Sequence, residues 1–262
     1  MLSNEEVIQQ KFQRIVALKI ERVAVWSGPI GALVFFVGFW PIGHLMPVIS
    51  PSASAAQIAE FWGHHTGQIQ AGLFVCLLAN VLWAPFFSLM PIRVARSEGR
   101  WGVLALMQAL ACISVWTGFM LTEFWAITAS FRPQRAPEIT QTIVDLFYLP
   151  FVGGGEFTMV QVIPLGIVAF IDQSKPRTFP RWYGYYCGWY LLLILPSLTL
   201  FFFKSGPLSY NGLIAFWLPA GLFGIWLMTT VYVLIKAMKT EEADIIESLT
   251  PAVELAVESD VH

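Results

Sequence analysis

Six long apolar runs constrain this chain more than any other feature of its sequence. Charged or turn residues bound each run, and each is long enough for the helix of about 20 apolar residues that crosses a hydrocarbon layer of about 30 Å. The runs cover residues 23–46, 69–90, 101–124, 151–171, 183–203 and 213–237. They predict six transmembrane helices.

The composition favours the same fold. Of the 262 residues, 56% are hydrophobic and 12% are charged, whereas an ordinary soluble domain has about 25% charged residues. We therefore predict an all-α fold, a polytopic membrane helix bundle. Residues 1–22 would form a cytoplasmic N-terminal segment and residues 23–239 the six-helix transmembrane domain. Residues 240–262, with acidic residues and no Lys or Arg after Thr240, would form a disordered cytoplasmic tail.

The distribution of Lys and Arg predicts the orientation, because basic residues in short loops are retained in the cytoplasm. Only Arg132, Arg135 and Lys204 of the 15 Lys and Arg residues fall on the side opposite the termini. We therefore expect both termini inside, in a multi-pass protein of the cell's inner (plasma) membrane. The N-terminal apolar run is too long for a signal peptide and has no small-residue cleavage site.

Two outer connections are predicted to form amphipathic segments that cover the bundle. In the first, Ser54 is followed three residues later by Gln57, which is the pattern of a capping box. Ile58, Phe61 and Trp62 then fall on one helical face. In the second, Pro137 opens a stretch whose apolar face would be Ile139, Ile143, Leu146 and Phe147.

Glu156 is the strongest candidate for a functional side chain. It follows three glycines in an otherwise apolar segment, 16 residues before Asp172 at the inner boundary, and so about 24 Å from that boundary in a helix. An acid at this depth is expensive unless it faces a cavity or a partner. Pro150 and the glycines also predict a broken helix, which is tolerated where it lines a cavity or is buried in protein.

Glu123, near the outer end of the third span, is the second acidic candidate. Should Glu123 and Glu156 converge, a general acid with a perturbed proton affinity becomes possible. Both are ordinary structural or interfacial residues in the alternative interpretation. We assign them catalytic roles only for the case that the protein is an enzyme, a question that the sequence leaves open.

Further candidates for contact with a ligand surround these acids. We expect the polar end of a ligand to be oriented by Glu156 and by Gln161, which lies five residues further on. Aromatic residues would form the walls, and the last outer loop would contribute at the entrance. The proposed contacts beyond Glu156 are Gln161, Trp125, Asn211, Trp217, Lys204 and His65.

Several other classes of site find no support in the sequence. The three cysteines, Cys76, Cys112 and Cys187, lie in apolar runs without metal-ligand spacing. No phosphate-binding glycine motif and no basic tract for nucleic acid is present. We predict no metal and no cofactor.

Three stretches carry a resemblance to a known family: PSASAAQIAEFW in the first outer loop, FPRWYGY before the fifth span, and FFFKSGPLSYNGLIAFWLP before the sixth. They resemble a family of six-helix bacterial integral membrane proteins found in actinobacteria and some proteobacteria. The resemblance extends from the first span to Lys236. It implies this topology and carries over no activity.

These features favour a protein that binds or translocates a lipophilic small molecule or lipid through an aromatic cavity in the outer leaflet. Its partners would be membrane lipids and the ligand itself. One alternative is a membrane-embedded isomerase or cyclase that acts on an isoprenoid or steroid-like substrate with a Glu as general acid. Another is a structural subunit of a membrane complex, or a homo-oligomer.

Overall fold

The computed structural model describes the backbone of residues 4–259 and the side chains of residues 6–249. This part of the chain is helical and contains no strand. A π-helical turn, Gly38–Ile42, extends the first helix; a 3-10 segment, Leu195–Phe202, extends the seventh; and a π-helical turn, Leu213–Trp217, precedes the eighth. The helices are α1 (Asn4–Val37), α2 (Ala55–His64), α3 (Thr66–Glu98), α4 (Val103–Phe131), α5 (Pro137–Gly153), α6 (Gly155–Ile171), α7 (Arg181–Ile194) and α8 (Leu218–Ser259).

The described residues contain six stretches long and apolar enough to cross a membrane, with α5 and α6 forming one of them. The predicted all-α bundle of six transmembrane helices is confirmed. Large apolar side chains such as Val81, Val103 and Tyr185 point outward. Such a surface is costly in water, but the acyl chains of a bilayer are equally apolar.

Ion pairs join α1, α3 and α8 on the side where α1 begins and α8 ends, which we call the inner side. The buried guanidinium of Arg93 pairs with Glu21 of α1 and with Glu241 of α8, the latter at 3.2 Å. Arg14 of α1 also pairs with Glu241, at 2.7 Å, and Arg96 of α3 binds the same carboxylate. The two termini of the bundle are thus held on one side.

This charge cluster includes residues of the C-terminal segment that the sequence predicts to be disordered. Helix α8 continues through the acidic segment after Thr240, because Glu241 and Glu242 find arginine partners on neighbouring helices. The backbone of residues 240–259 is thus helical where the sequence predicts a disordered tail, and residues 260–262 of that tail lie outside the described part. The predicted N-terminal segment likewise forms the first turns of α1 from Asn4 onward.

The first outer segment is the amphipathic helix that the sequence predicts. Ser54 accepts a hydrogen bond from the Gln57 N–H, and the Gln57 side chain accepts one from the Ser54 N–H, so the capping box is complete. Ile58 and Trp62 are buried, and Phe61 packs against the same core. Helix α2 therefore covers the outer end of the bundle.

The second outer segment differs from its prediction. Helix α5 leads into α6 with only Gly154 between them, so it forms part of a span rather than a separate cover. Its buried residues are Thr140, Val144, Phe147, Tyr148 and Gly153. The predicted residues Ile139 and Leu146 are exposed, because apolar side chains in a membrane span can face lipid as well as protein.

Two buried clusters form the interior. The inner cluster includes Phe86, Tyr183 and Trp226, and the outer one includes Trp62 and Phe147. Both clusters combine large aromatic side chains with aliphatic ones. The space where they meet is incompletely filled, and it is the feature of the fold that bears most directly on function.

Candidate ligand-binding cavity

A cavity of about 700 Å³ lies between the inner and outer clusters. Its walls come from six regions: the outer half of α1 with the segment after it, Trp83 of α3, the outer half of α4, the junction of α5 and α6, the outer half of α7 with the 3-10 segment after it, and the chain from the π-helical turn into α8. The side chains that line it are almost all apolar, and none carries a charge among the described lining residues. This volume and lining are typical of small-molecule sites.

Stacked aromatic rings form one wall of the cavity. The ring of Phe35 on α1 stacks on Trp83 of α3, with centroids 5.4 Å apart, and on Phe151 at the α5–α6 junction, at 6.1 Å. The edge of Phe119 on α4 meets it at 5.6 Å. Because each ring is held by a different helix, this wall is fixed in shape by the bundle itself.

Chain direction gives the two ends of the cavity. Helices α1, α4 and α7 run outward, whereas α8 runs inward. The lining residues nearest the inner side are therefore Ala32, Val115, Tyr190 and Gly224. The outer end is lined by Met46, Trp125, Ser197 and Trp217. The cavity therefore occupies the outer half of the bundle, and its inner end lies near the middle of the membrane.

The outer half of the cavity is open at its sides. Phe36 on α1 and Trp217 before α8 line it and are each 44% exposed. On another side, Leu121 of α4 and Phe157 of α6 line it and are 48% and 37% exposed. All four lie within spans, so these openings face the lipid rather than an aqueous phase.

Hydroxyl groups are the main polar side chains in the lining. Thr122 donates to the Phe119 carbonyl at 2.8 Å, and Ser197 donates to the Ile194 carbonyl at 2.7 Å. Both hydroxyl protons are thus used within their own chain segments. The Tyr190 hydroxyl is buried and has no hydrogen-bond partner among the described residues.

Two of the residues predicted to contact a ligand line this cavity, namely Trp125 and Trp217. Glu156 is not among the lining residues, and its side chain is exposed on the surface of α6. Gln161 is fully buried beside Cys112, with the Gln161 Nε2 3.7 Å from Cys112 Sγ. Gln161 is also absent from the lining.

The remaining predicted contacts lie at the outer side, away from the lining. Lys204 is exposed in the loop after α7. Asn211 accepts a hydrogen bond from the Ser209 hydroxyl at 2.7 Å within the same loop. The His65 ring stacks on His44 at 5.5 Å. The described residues contain no group of three or more His, Cys, Asp or Glu side chains that could hold a metal ion.

Glu123 is buried between α3 and α4, where its carboxyl group accepts a hydrogen bond from the Asn80 side chain at 2.8 Å. Its other oxygen has no partner among the described residues. Glu123 is not a lining residue, although Thr122 beside it is. No hydrogen bond joins Glu123 and Glu156 in the structure: Glu123 is buried with Asn80 as its partner, whereas Glu156 is exposed.

Sequence reasoning missed the residues that define this cavity, above all Phe35, Phe119, Phe151 and Tyr190. A usable signal was present, because these aromatic residues lie deep inside predicted spans or at the glycine-rich junction rather than at the membrane interfaces where aromatic belts occur. The acidic residues of the spans are a poorer guide to the cavity. Whether an acidic side chain is exposed depends on how its helix is rotated within the bundle. The sequence of an apolar helix that contacts lipid on one side does not reveal this rotation.

The fold and the cavity together define a class: a multi-pass helical membrane protein with an aromatic, uncharged cavity in one half of its bundle. No protein-family model, curated protein sequence or solved structure matches the chain.

Proposed function

We propose that this protein binds a lipophilic small molecule or lipid in the aromatic cavity and exchanges it with the outer leaflet of the cell's inner (plasma) membrane. The observation that carries the proposal is the cavity itself: about 700 Å³, without a charged lining residue in the described part, and bordered by exposed side chains at membrane depth. An apolar ligand could enter sideways from lipid without crossing water.

The test is to fill part of the cavity with a larger side chain and to measure how much lipophile remains bound to the protein. A Cβ at Gly224 meets no atom within 4 Å, and Gly224 lines the cavity, so Gly224→Leu should occupy ligand space without disturbing the backbone. Gly188 on α7 is equally open and does not line the cavity, so Gly188→Leu is the matched control.

Native mass spectrometry of protein extracted gently from its own membrane reports the bound mass. We expect a discrete lipophile on the wild type and on Gly188→Leu, and a clear loss of it from Gly224→Leu. If the wild type carries no lipophile, or if both variants retain it equally, the proposed function is wrong.

A second candidate function, a structural subunit of a membrane complex, is favoured by Glu156. Its carboxylate is exposed at a depth of about 24 Å from the inner boundary, by the rise of an α-helix, and no described residue pairs with it. A charge that faces lipid is costly, so a partner helix with a hydrogen-bond donor would stabilise it. A stoichiometric protein partner, retained by Glu156→Gln and lost by Glu156→Leu, would support this function over the first.

The isomerase or cyclase alternative requires a general acid beside the substrate. The Glu that this alternative names for that role is absent from the described lining, since neither Glu123 nor Glu156 is a lining residue.

A further inference from the structure

We infer that a second pocket, on the inner side of the bundle, binds a phosphate group that is supplied by the headgroup of an anionic lipid or by a soluble phosphate ester. This inner pocket has a volume of about 360 Å³ and lies between the start of α1, the end of α3, the α6–α7 loop and the part of α8 after Thr240. The aromatic cavity occupies the outer half of the bundle, so phosphate binding in the inner pocket does not depend on the proposed function.

The most buried charged residue in the described lining of the inner pocket is Glu241 of α8. Its carboxylate accepts a hydrogen bond from Arg14 of α1 at 2.7 Å, and it pairs with Arg96 of α3. Arg93 lies behind the lining and pairs with the same carboxylate at 3.2 Å. Arg14 and Arg93 also share Glu21. Three guanidinium groups are therefore held in place by two carboxylates, which leaves one positive charge in excess.

Two lysines add further positive charge to the lining. Lys11 of α1 donates to the Ser248 carbonyl of α8 at 3.2 Å, a contact that uses one of the three N–H donors of its ammonium group. Lys175 of the α6–α7 loop is exposed and has no ion-pair partner among the described residues. Asp244 is the second acid of the lining and is likewise exposed. The described lining thus contains four cations and two carboxylates, and its net charge is +2.

This charge and this position favour a phosphate group as the ligand. Phosphate oxygens accept several hydrogen bonds at once, and Lys and Arg are the side chains that bind them in proteins. The distribution of Lys and Arg predicts that the inner side faces the cytoplasm. The cytoplasmic leaflet is rich in anionic lipids, and basic pockets between transmembrane helices on that side bind their headgroups. Val7, Pro176 and Ile245 complete the lining with half-buried apolar surface, which suits the carbon atoms next to a phosphate.

The test is a titration of the purified protein in detergent with dioleoylphosphatidylglycerol, followed by native mass spectrometry. Dioleoylphosphatidylcholine is the reference lipid, because it has the same acyl chains and a phosphate whose charge is cancelled by choline. The wild type should bind the anionic lipid in clear preference. Lys11→Gln combined with Lys175→Gln should weaken that binding by about tenfold to thirtyfold. Arg14 and Arg96 are left unchanged, so the network around Glu241 is preserved.

The matched control is Lys19→Gln combined with Lys239→Gln. Both lysines are exposed on the inner side and neither lines the pocket, so the same charge is lost from the protein. This control should bind the anionic lipid as the wild type does.

A variant with increased affinity excludes misfolding as the explanation. Asp244→Asn removes a carboxylate from the lining and should strengthen binding of the anionic lipid several-fold. Glu247→Gln removes an exposed carboxylate of α8 outside the lining and should have little effect.

Glycerol 3-phosphate, which has no acyl chain, distinguishes the two sources of the phosphate. If it binds the wild type and displaces the lipid, the ligand is a soluble phosphate ester; if only the anionic lipid binds, the ligand is a lipid headgroup. The inner phosphate site is overturned if neither anion binds in preference to phosphatidylcholine, or if the two double lysine variants lose affinity equally. Retention of a lipophile in the aromatic cavity is measured separately with Gly224→Leu, so either proposal can fail without the other.

Discussion

At the scale of single residues, the carboxylate of Asp172 accepts five hydrogen bonds. It lies at the inner end of α6 and is buried. Its carboxylate accepts from the backbone N–H groups of Thr178 and Phe179, each at 2.9 Å. It also accepts from the Ser174 N–H at 2.8 Å and from the Ser97 hydroxyl of α3 at 3.0 Å. Asp172 thus fixes the α6–α7 loop to α3.

We expect Asp172→Ala to lower the free energy of unfolding by about 2–4 kcal/mol, because several buried donors lose their acceptor at once. Asp172→Asn keeps one acceptor oxygen and should lose about half as much. Unfolding in mixed detergent micelles, followed by circular dichroism, measures both. Equal stability of Asp172→Ala and the wild type would contradict this role.

Asp172 also illustrates what the sequence does and does not reveal about single residues. As the first acid after an apolar run, it correctly marks the inner end of a span. Its partners on the following loop and on α3 depend on the folded path of the chain, so no local pattern predicts them. The same limit applies to Glu156 and Glu123, because the rotation of each helix decides which of the two carboxyl groups is buried.

At the scale of elements, α1 and α3 approach each other closely where the π-helical turn meets Gly72. A Cβ added at Gly72 would lie 2.6 Å from the Gly43 backbone nitrogen, and one added at Gly38 would lie 2.7 Å from the Gly72 carbonyl oxygen. Small residues permit such backbone contact between membrane helices. This contact positions the outer end of α1, which supplies Phe39 and Met46 to the cavity.

Gly72→Ala should therefore destabilise the protein by about 1–3 kcal/mol, because backbone atoms rather than a flexible side chain must move. It should also weaken retention of the co-purified lipophile. Gly67→Ala on the same helix is the matched control, since a Cβ there meets nothing within 4 Å. Melting temperatures of the two variants in one detergent test this, and an equal response of both would contradict the close contact.

The sequence predicts the spans as elements better than it predicts their faces. Apolar length is sufficient to identify all six, because the bilayer thickness sets a minimum that few other segments reach. The apolar stripe of α5 does not identify the buried face of that helix, because Ile139 and Leu146 are exposed and Thr140 is buried. In water an apolar stripe marks the core, but in lipid polar or small residues often mark it instead.

At the scale of the whole molecule, the inner side is defined by charge. Arg93 and Arg14 on two helices share Glu241 of α8, so the predicted basic surface is partly neutralised by the acidic segment. No local pattern predicts this pairing, because the partners are more than a hundred residues apart in the chain. The surplus of Lys and Arg in the inner loops still predicts that this side faces the cytoplasm.

Cysteine labelling in intact cells tests that orientation. The three native cysteines are buried, so the wild type should react little with a membrane-impermeant maleimide. Gln134→Cys and Ser205→Cys place exposed thiols in the two outer loops after α4 and α7, and Gln173→Cys and Ala243→Cys place exposed thiols on the inner side. None of these changes removes a charge, so the charge bias itself is preserved. We expect the outer pair to react in intact cells and the inner pair to react only after permeabilisation. The reverse pattern would place the aromatic cavity in the cytoplasmic leaflet, and its ligand would then have to be sought among molecules that enter the membrane from inside the cell.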